Sequence, residues 1–282
     1  MRLMMGGLMH LLSSEKETVK FLYERREGIN SVECPHCGGN EFYLMKRKRV
    51  RCKRCRRDHD FLKSTWFGKI RISYATWLIL VKLFELEVSA RKASTQAGLS
   101  YPTTLKSFDL IRYVITLQLA KKDKLKGEIE ADEAYFGGKR RGKRGRGSKN
   151  KILVFGILER NGKVSVDIVH DAKATSLVKE TVKKVRRGSI VYTDKWRGYD
   201  SLMFCGYRHL IIDHDREFTR GKVYINGIEG FWSFAKERLI KHHGISPHKF
   251  PYYIKEMEWR YNHRGKDIFE LIVEYMLGAV NL

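Results

Sequence analysis

Three acidic residues and a lysine stand out by type and spacing. Asp132 falls in the alternating run Glu128-Ile-Glu-Ala-Asp-Glu-Ala-Tyr135, and Asp194 ends the short apolar run Ser189-Ile-Val-Tyr-Thr-Asp194. Glu229 follows Asp194 by 35 residues, and Lys236 lies seven further on, two turns along one face of a predicted helix. Carboxylates that converge from two strands and a helix form the kind of site that holds two divalent ions against a phosphodiester. One ion activates a water or hydroxyl, and the other stabilises the leaving oxygen. Four of the five cysteines make a second constellation, Cys34-Pro-His-Cys37 and Cys52-Lys-Arg-Cys55, separated by fourteen residues. Each pair predicts a tight knuckle, and two knuckles supply four thiolates to a closed, structural Zn²⁺ site. His36 and His59 are nearby but have no required ligand role, and Cys205 reads as a small apolar core residue.

The elements that must position these groups follow from periodicity and turn signals. A helix is predicted over 14–29, capped by Ser13 or Ser14, with Val19, Leu22 and Tyr23 as its apolar stripe. Phe42-Tyr-Leu-Met and Arg47-Lys-Arg-Val-Arg predict paired strands between the cysteine pairs. Residues 62–120 read as helical. Within them, Ala90 to Lys106 fits a helix, a turn at Gly98 and a second helix starting near Tyr101-Pro102. In such a helix-turn-helix-like region, Thr103, Thr104, Lys106 and Ser107 are the expected exposed readers of a DNA groove. Strands are predicted at 127–134, 151–159, 163–170, 189–194 and 208–213. Helices are predicted at 174–187, near 197–204, and at 224–241, 250–262 and 267–279. The first three strands have no helix between them and suit antiparallel pairing, whereas the later alternation with helices implies parallel pairing. Asp132 and Asp194 then lie side by side, and the Glu229 helix packs back across the edge of the fifth strand. This is the layout of a ribonuclease H-like core. The expected fold class is α/β, with a mixed five-stranded sheet preceded by a small zinc ribbon and a helical region. The expected domains are 1–61, 62–124 and 125–282.

Fifty-six Lys and Arg stand against 32 Asp and Glu, a net charge of +24, which points to a polyanion such as double-stranded DNA. The charge is clustered. Nine Lys and Arg occur from Lys46 to Arg57, including Lys46, Arg47, Lys48 and Arg49. The segment 137–151 is nearly all Gly, Lys and Arg, with Lys139, Arg140, Arg141, Lys143, Arg144 and Arg146. Such a segment buries too little apolar area to order itself alone, and it is expected to close on a DNA backbone. No apolar run reaches the roughly 18 residues of a membrane span. Met1 to Leu12 has no small-residue cleavage site after it and reads as a start-site extension or an ordinary first helix. The cysteine spacing suits a reducing compartment rather than a disulfide scaffold.

Four motifs carry a family resemblance: Ile129-Glu-Ala-Asp-Glu-Ala-Tyr-Phe-Gly-Gly138, Tyr192-Thr-Asp-Lys-Trp-Arg-Gly-Tyr199, Ile225-Asn-Gly-Ile-Glu-Gly-Phe-Trp-Ser-Phe-Ala-Lys236 and Arg260-Tyr-Asn-His-Arg264. Over residues 15–265 the chain resembles DDE transposases of prokaryotic insertion sequences, in particular the group with an N-terminal zinc ribbon. The resemblance implies a ribonuclease H-like catalytic domain and two Mg²⁺ or Mn²⁺ ions held by Asp132, Asp194 and Glu229. Lys236 would touch DNA near the cut. It further implies recognition of terminal inverted repeats, cleavage at element ends and strand transfer into target DNA. Two element ends imply at least a homodimer on DNA, in a prokaryotic, nucleoid-associated cytoplasm. The rivals are a nuclease that cuts without joining and a DNA-binding descendant without catalysis. Asn226 shares a helical face with Glu229 and remains the alternative third ligand. Asp213, Asp215 and Glu130 are secondary candidates, whereas alternation turns Glu133 to the other sheet face. Trp232 and Trp259 read as core residues. Trp196 would stack on a flipped base or pack at the core or rim. His242, His243 and His248 read as phosphate contacts or plain surface.

Overall fold

A computed structural model of the chain describes residues 5–29, 32–45, 49–120, 123–137, 151–194, 202–212, 224–242 and 244–278. The chain divides into two compact units, Met1–Gln118 with Gly265–Leu282, and Leu119–Arg264.

The first unit opens with α1 (Met5–Leu12) and α2 (Glu15–Ile29). Ser14 caps α2, its Oγ accepting the Glu17 N–H at 3.1 Å. The ribbon strands β1 (Phe42–Leu44), β2 (Val50–Cys52) and β3 (Asp58–His59) pair in order, all antiparallel. A 3-10 turn over Trp66–Lys69 leads to α3 (Tyr74–Glu85), α4 (Ala90–Ala97) and α5 (Tyr101–Leu119). Phe84 of α3 packs edge-on against Phe108 of α5, centroids 5.2 Å apart, and Trp77, Leu78 and Ile111 are buried as well.

The second unit is a sheet of β4 (Glu128–Phe136), β5 (Ile152–Glu159), β6 (Val164–Val169), β7 (Ile190–Asp194) and β8 (Arg208–Ile212). Its strand order is β6-β5-β4-β7-β8, antiparallel through β6-β5-β4 and parallel through β4-β7-β8. This is the ribonuclease H-like fold expected from the pattern. The helix α6 (Ala174–Lys184) covers one face, and α7 (Asn226–Leu239) and α8 (Phe250–Asn262) cover the other. Alternation decides which residues see which face. Ile129 and Ala131 join the core under α6, while Ala134 and Phe136 join the core under α7 and α8. The helix α6 stops at Lys184, short of the predicted 187, because Val185 leaves helical geometry to form a parallel bridge with Leu125. Of the short helix predicted near 197–204, residues 202–205 form a 3-10 turn, and 197–201 lie outside the described residues.

The outer edge of β6 is satisfied by side chains. Asn262 Oδ1 accepts the Val164 N–H and its Nδ2 donates to the Val164 carbonyl, both at 2.8 Å. Glu258 accepts the Val166 N–H at 3.1 Å, and Lys255 donates to the Val166 carbonyl. These contacts occupy edge groups that would otherwise be open to pairing with another strand.

The last helix, α9 (Ile268–Leu277), falls in the first compact unit, whereas the third expected domain ran over 125–282. Phe269, Ile272, Val273 and Met276 are buried, and the helix lies against α2 and α3. Glu270 takes Arg25 in a two-point ion pair, with both bonds at 2.7 Å. Among the described residues, no helix is long and apolar enough to cross a membrane.

Candidate metal centres and their surroundings

The ribbon brings its four thiols together. Cys34 Sγ and Cys55 Sγ are 3.6 Å apart, as are Cys37 Sγ and Cys52 Sγ, and all four sulfurs lie within 4.8 Å of one another. Tetrahedral zinc with Zn–S bonds of about 2.3 Å spaces its sulfurs by about 3.8 Å, so the donor set fits structural Zn²⁺. Each knuckle is closed by its own backbone. The Gly38 N–H donates to the Cys34 carbonyl at 2.9 Å, and the Arg56 N–H to the Cys52 carbonyl at 3.0 Å. His59 instead packs edge-on against Phe42, centroids 5.1 Å apart. Arg49 is exposed on this module, whereas Lys46, Arg47 and Lys48 lie outside the described residues.

The expected helix, turn and second helix are present, but half of the expected reading face is not exposed. The α4 helix ends at Gly98 (φ 62°), and Ser100 Oγ accepts the Thr103 N–H at 3.3 Å to start α5. Lys106 is exposed and Thr103 is half-buried. Thr104 and Ser107 are fully buried, which corrects their assignment as exposed readers. They share the α5 face that carries Phe108 and Ile111, and their hydroxyls bond the Ser100 and Thr103 carbonyls at 3.2 and 2.9 Å. The basic residues Lys139, Arg140, Arg141, Lys143, Arg144 and Arg146 lie outside the described residues, as do Trp196, Asp213, Asp215 and His243.

On the sheet, β4 and β7 run parallel with Glu130 opposite Tyr192. Continuing that register by two residues sets Asp132 beside Asp194. Both share the alternation of Tyr192 and Ala134, which face α7 and α8. Burial pushes the Asp132 carboxyl up to about 7, and the negative charges of Glu133 and Asp194 add to the shift. Two donors hold this carboxylate, the Glu133 backbone N–H and the Trp232 indole, whose Nε1–H reaches Asp132 Oδ2 at 3.0 Å.

The helix α7 lies over β4 and β5, rather than across the β8 edge as expected. Two glycines permit the approach. Gly156 is the β5 residue opposite Asp132, and a Cβ there would meet the Trp232 ring at 2.5 Å. At Gly227 a Cβ would meet Glu130 Oε2 at 2.8 Å. Asn226 and Glu229 are both exposed in the first turn of α7. Lys236, also exposed, sets its Nζ 6.0 Å from the Phe136 ring at the end of β4.

Glu130 is 1% exposed and is no candidate ligand, since both its oxygens are engaged. Oε1 accepts Arg160 Nε at 3.0 Å, and Oε2 accepts the Ile228 N–H at 2.9 Å. The Arg160 guanidinium also donates to Glu128 at 2.8 Å and to the Tyr224 carbonyl at 2.6 Å. It lies between the Tyr192 and Tyr224 rings, 3.8 and 3.9 Å from their centroids. Sequence reading missed Arg160 altogether and took Trp232 for core alone. Neither carries a local signal, because their partners lie 30 and 100 residues away. Among the described residues, the four thiols are the group of potential ligands whose atoms all fall within 4.8 Å; Asp132, Asp194 and Glu229 do not close to that spacing.

Strand order and the paired aspartates define the class, a ribonuclease H-like core carrying an acidic site. Residues 124–262 match the ISXO2-like transposase domain, and residues 13–58 match the transposase zinc-ribbon domain. The chain belongs to the zinc-ribbon-bearing DDE transposases of prokaryotic insertion sequences. It is 41% identical over 100 residues to a transposase-like protein of Haemophilus influenzae, covering 36% of this chain and 81% of that one. It is 26% identical over 292 residues to a protein in transposable element ISH50 of Halobacterium salinarum, covering 94% and 97%. Among solved structures it is similar, at 14% identity, to a chain of the simian T-cell lymphotropic virus intasome in complex with a PP2A regulatory subunit. That likeness covers 72% of this chain and 74% of that one, with a TM-score of 0.34. A chain of the Mos1 strand transfer complex is similar at 12% identity over 76% and 81%, with a TM-score of 0.29.

Proposed function

We propose that the protein cuts DNA at the ends of its element and joins those ends to target DNA, using Asp132, Asp194 and Glu229 to hold two Mg²⁺ or Mn²⁺ ions. The observation that carries this reading is the placement of Asp132 and Asp194 on adjacent parallel strands, near enough for their charges to interact, where burial and like charge make an anionic Asp132 costly. Hard oxygen donors crowded in this way suit divalent cations with oxygen preference. When bound, such ions activate the attacking oxygen and stabilise the leaving one. The chain's own residues hold and orient. Asp132 and Asp194 supply carboxylates from the sheet, and Glu229 supplies one from α7. We assign Glu229 over Asn226 because a carboxylate neutralises metal charge and an amide does not. Lys236, seven residues along α7, neutralises a phosphate near the cut. The net charge of +24 supports a DNA partner. Arg49 and the basic segment 139–146 would contact the backbone, and Thr103 and Lys106 would present α5 to a groove. Two ends held together require at least a dimer on DNA.

A strand-transfer assay tests this. Purified protein is mixed with a labelled element-end duplex, a plasmid target and Mg²⁺, with Asp132→Ala in parallel. Metal-dependent joined product, lost in the variant while DNA binding persists, is the expected result. Cleavage without joining would assign a nuclease, and cleavage that survives Asp132→Ala would remove the triad assignment.

A further inference from the structure

The contacts between α7 and β4 repeat in step. On β4, Glu130 and Asp132 are alternate residues of one face, about 6.7 Å apart along the strand. On α7, Ile228 and Trp232 are four residues apart, about 6 Å along the axis. The Ile228 N–H donates to Glu130 Oε2 at 2.9 Å, and the Trp232 Nε1–H donates to Asp132 Oδ2 at 3.0 Å. One strand repeat therefore matches about one helical turn, and the helix that carries Glu229 is registered on the strand that carries Asp132. The first contact is locked from outside the pair, because Arg160 engages the other oxygen of Glu130. The second contact ends on the reacting site itself.

We propose that Trp232 is a positioning residue for Asp132: its indole N–H fixes one carboxylate oxygen and so sets the direction in which the group presents itself to a divalent ion. The sheet is shaped for this. Gly156, opposite Asp132, leaves the space the ring occupies, and Phe136 packs edge-on against that ring with centroids 6.0 Å apart. Apolar packing alone would be met by phenylalanine, whereas the indole of tryptophan adds an N–H donor. Groups that orient metal ligands in this way are typically worth about 10- to 100-fold in metal affinity or activity.

The inference rests on Asp132 being a metal ligand, and the experiment separates the two. Mn²⁺ affinity is read by electron paramagnetic resonance on the zinc-loaded, DNA-free full chain, for the wild type, Trp232→Phe and Asp132→Asn. Trp232→Phe is expected to weaken Mn²⁺ binding by roughly tenfold or more. It should raise the Mn²⁺ concentration for half-maximal end cleavage by a similar factor, with DNA binding unchanged. Should the phenylalanine variant not fold, benzothienylalanine at position 232 keeps the bicyclic shape and replaces the N–H by sulfur. Unchanged Mn²⁺ affinity in either folded variant, with Asp132→Asn losing binding, overturns the positioning role and leaves the metal-site reading standing. Retained Mn²⁺ binding in Asp132→Asn overturns the metal-site reading itself.

Discussion

The ribbon and the acidic site solve the same problem by opposite means. In the ribbon, Cys34 and Cys55 are only 21 residues apart, each knuckle is closed by its own backbone, and all four sulfurs gather within 4.8 Å. At the acidic site the proposed ligands span residues 132 to 229 and ride on β4, β7 and α7. Their approach depends on groups that are not ligands: Gly156 and Gly227 make room, Trp232 and Glu130 register the helix, and Arg160 holds Glu130. A local metal site is encoded by spacing, whereas a distributed one is encoded by the packing that surrounds it.

The largest expected effect is on the ribbon. Small zinc modules draw about 10–16 kcal/mol from their metal. Chelation of zinc, or Cys52→Ser, should therefore abolish hydrogen-exchange protection in residues 34–59 while β4–β6 stay protected. Persistent ribbon protection without zinc would break the contrast.

Arg160→Gln comes next, because it leaves Glu130 buried without its cation. Removing one partner of a buried pair costs about 3–5 kcal/mol. Thermal unfolding of the second unit should drop accordingly, and less for Arg160→Lys, which keeps the charge but loses the fork and the stack on Tyr192 and Tyr224. Unchanged melting of Arg160→Gln would show that the distributed site needs no such clamp.

The third effect is smaller and depends on pH. Folding raises the Asp132 pKa from an ordinary carboxylate value to about 7, so between about pH 4 and 7 the folded chain binds more protons than the unfolded chain. Its stability then falls as pH rises through that window. In zinc-loaded protein without added Mg²⁺ or Mn²⁺, Asp132→Asn should match the wild type near pH 4 and exceed it above pH 7, by up to a few kcal/mol. A stability difference that does not change with pH would mean that Asp132 is not strained by its surroundings.

Much of this was legible in the residues. The cysteine pairs, the five sheet strands and the parallel adjacency of the strands that carry Asp132 and Asp194 follow from spacing, alternation and the placement of helices between strands. Thr104 and Ser107 were misread because a three-to-four residue periodicity marks one helix face without saying which side is covered; Phe84 packing on Phe108 covers theirs. The tail helix was expected within 125–282, and its apolar face lies against α2 and α3, contacts no spacing in the sequence announces. Glu130 shares a face with Asp132, and only the position of Arg160 and the α7 N-terminus turned it from a ligand candidate into an anchor.

By itself, the sequence determined the zinc ribbon, the order of strands and helices, the strong positive charge and the candidate acidic residues, because these depend on neighbours along the chain. Tertiary structure alone decided where α7 and α9 dock, which polar groups are buried, and that Trp232 donates to Asp132. Those outcomes depend on how closely distant backbones can approach, a distance set here by absent side chains at Gly156 and Gly227 and by hydrogen bonds between residues about a hundred positions apart.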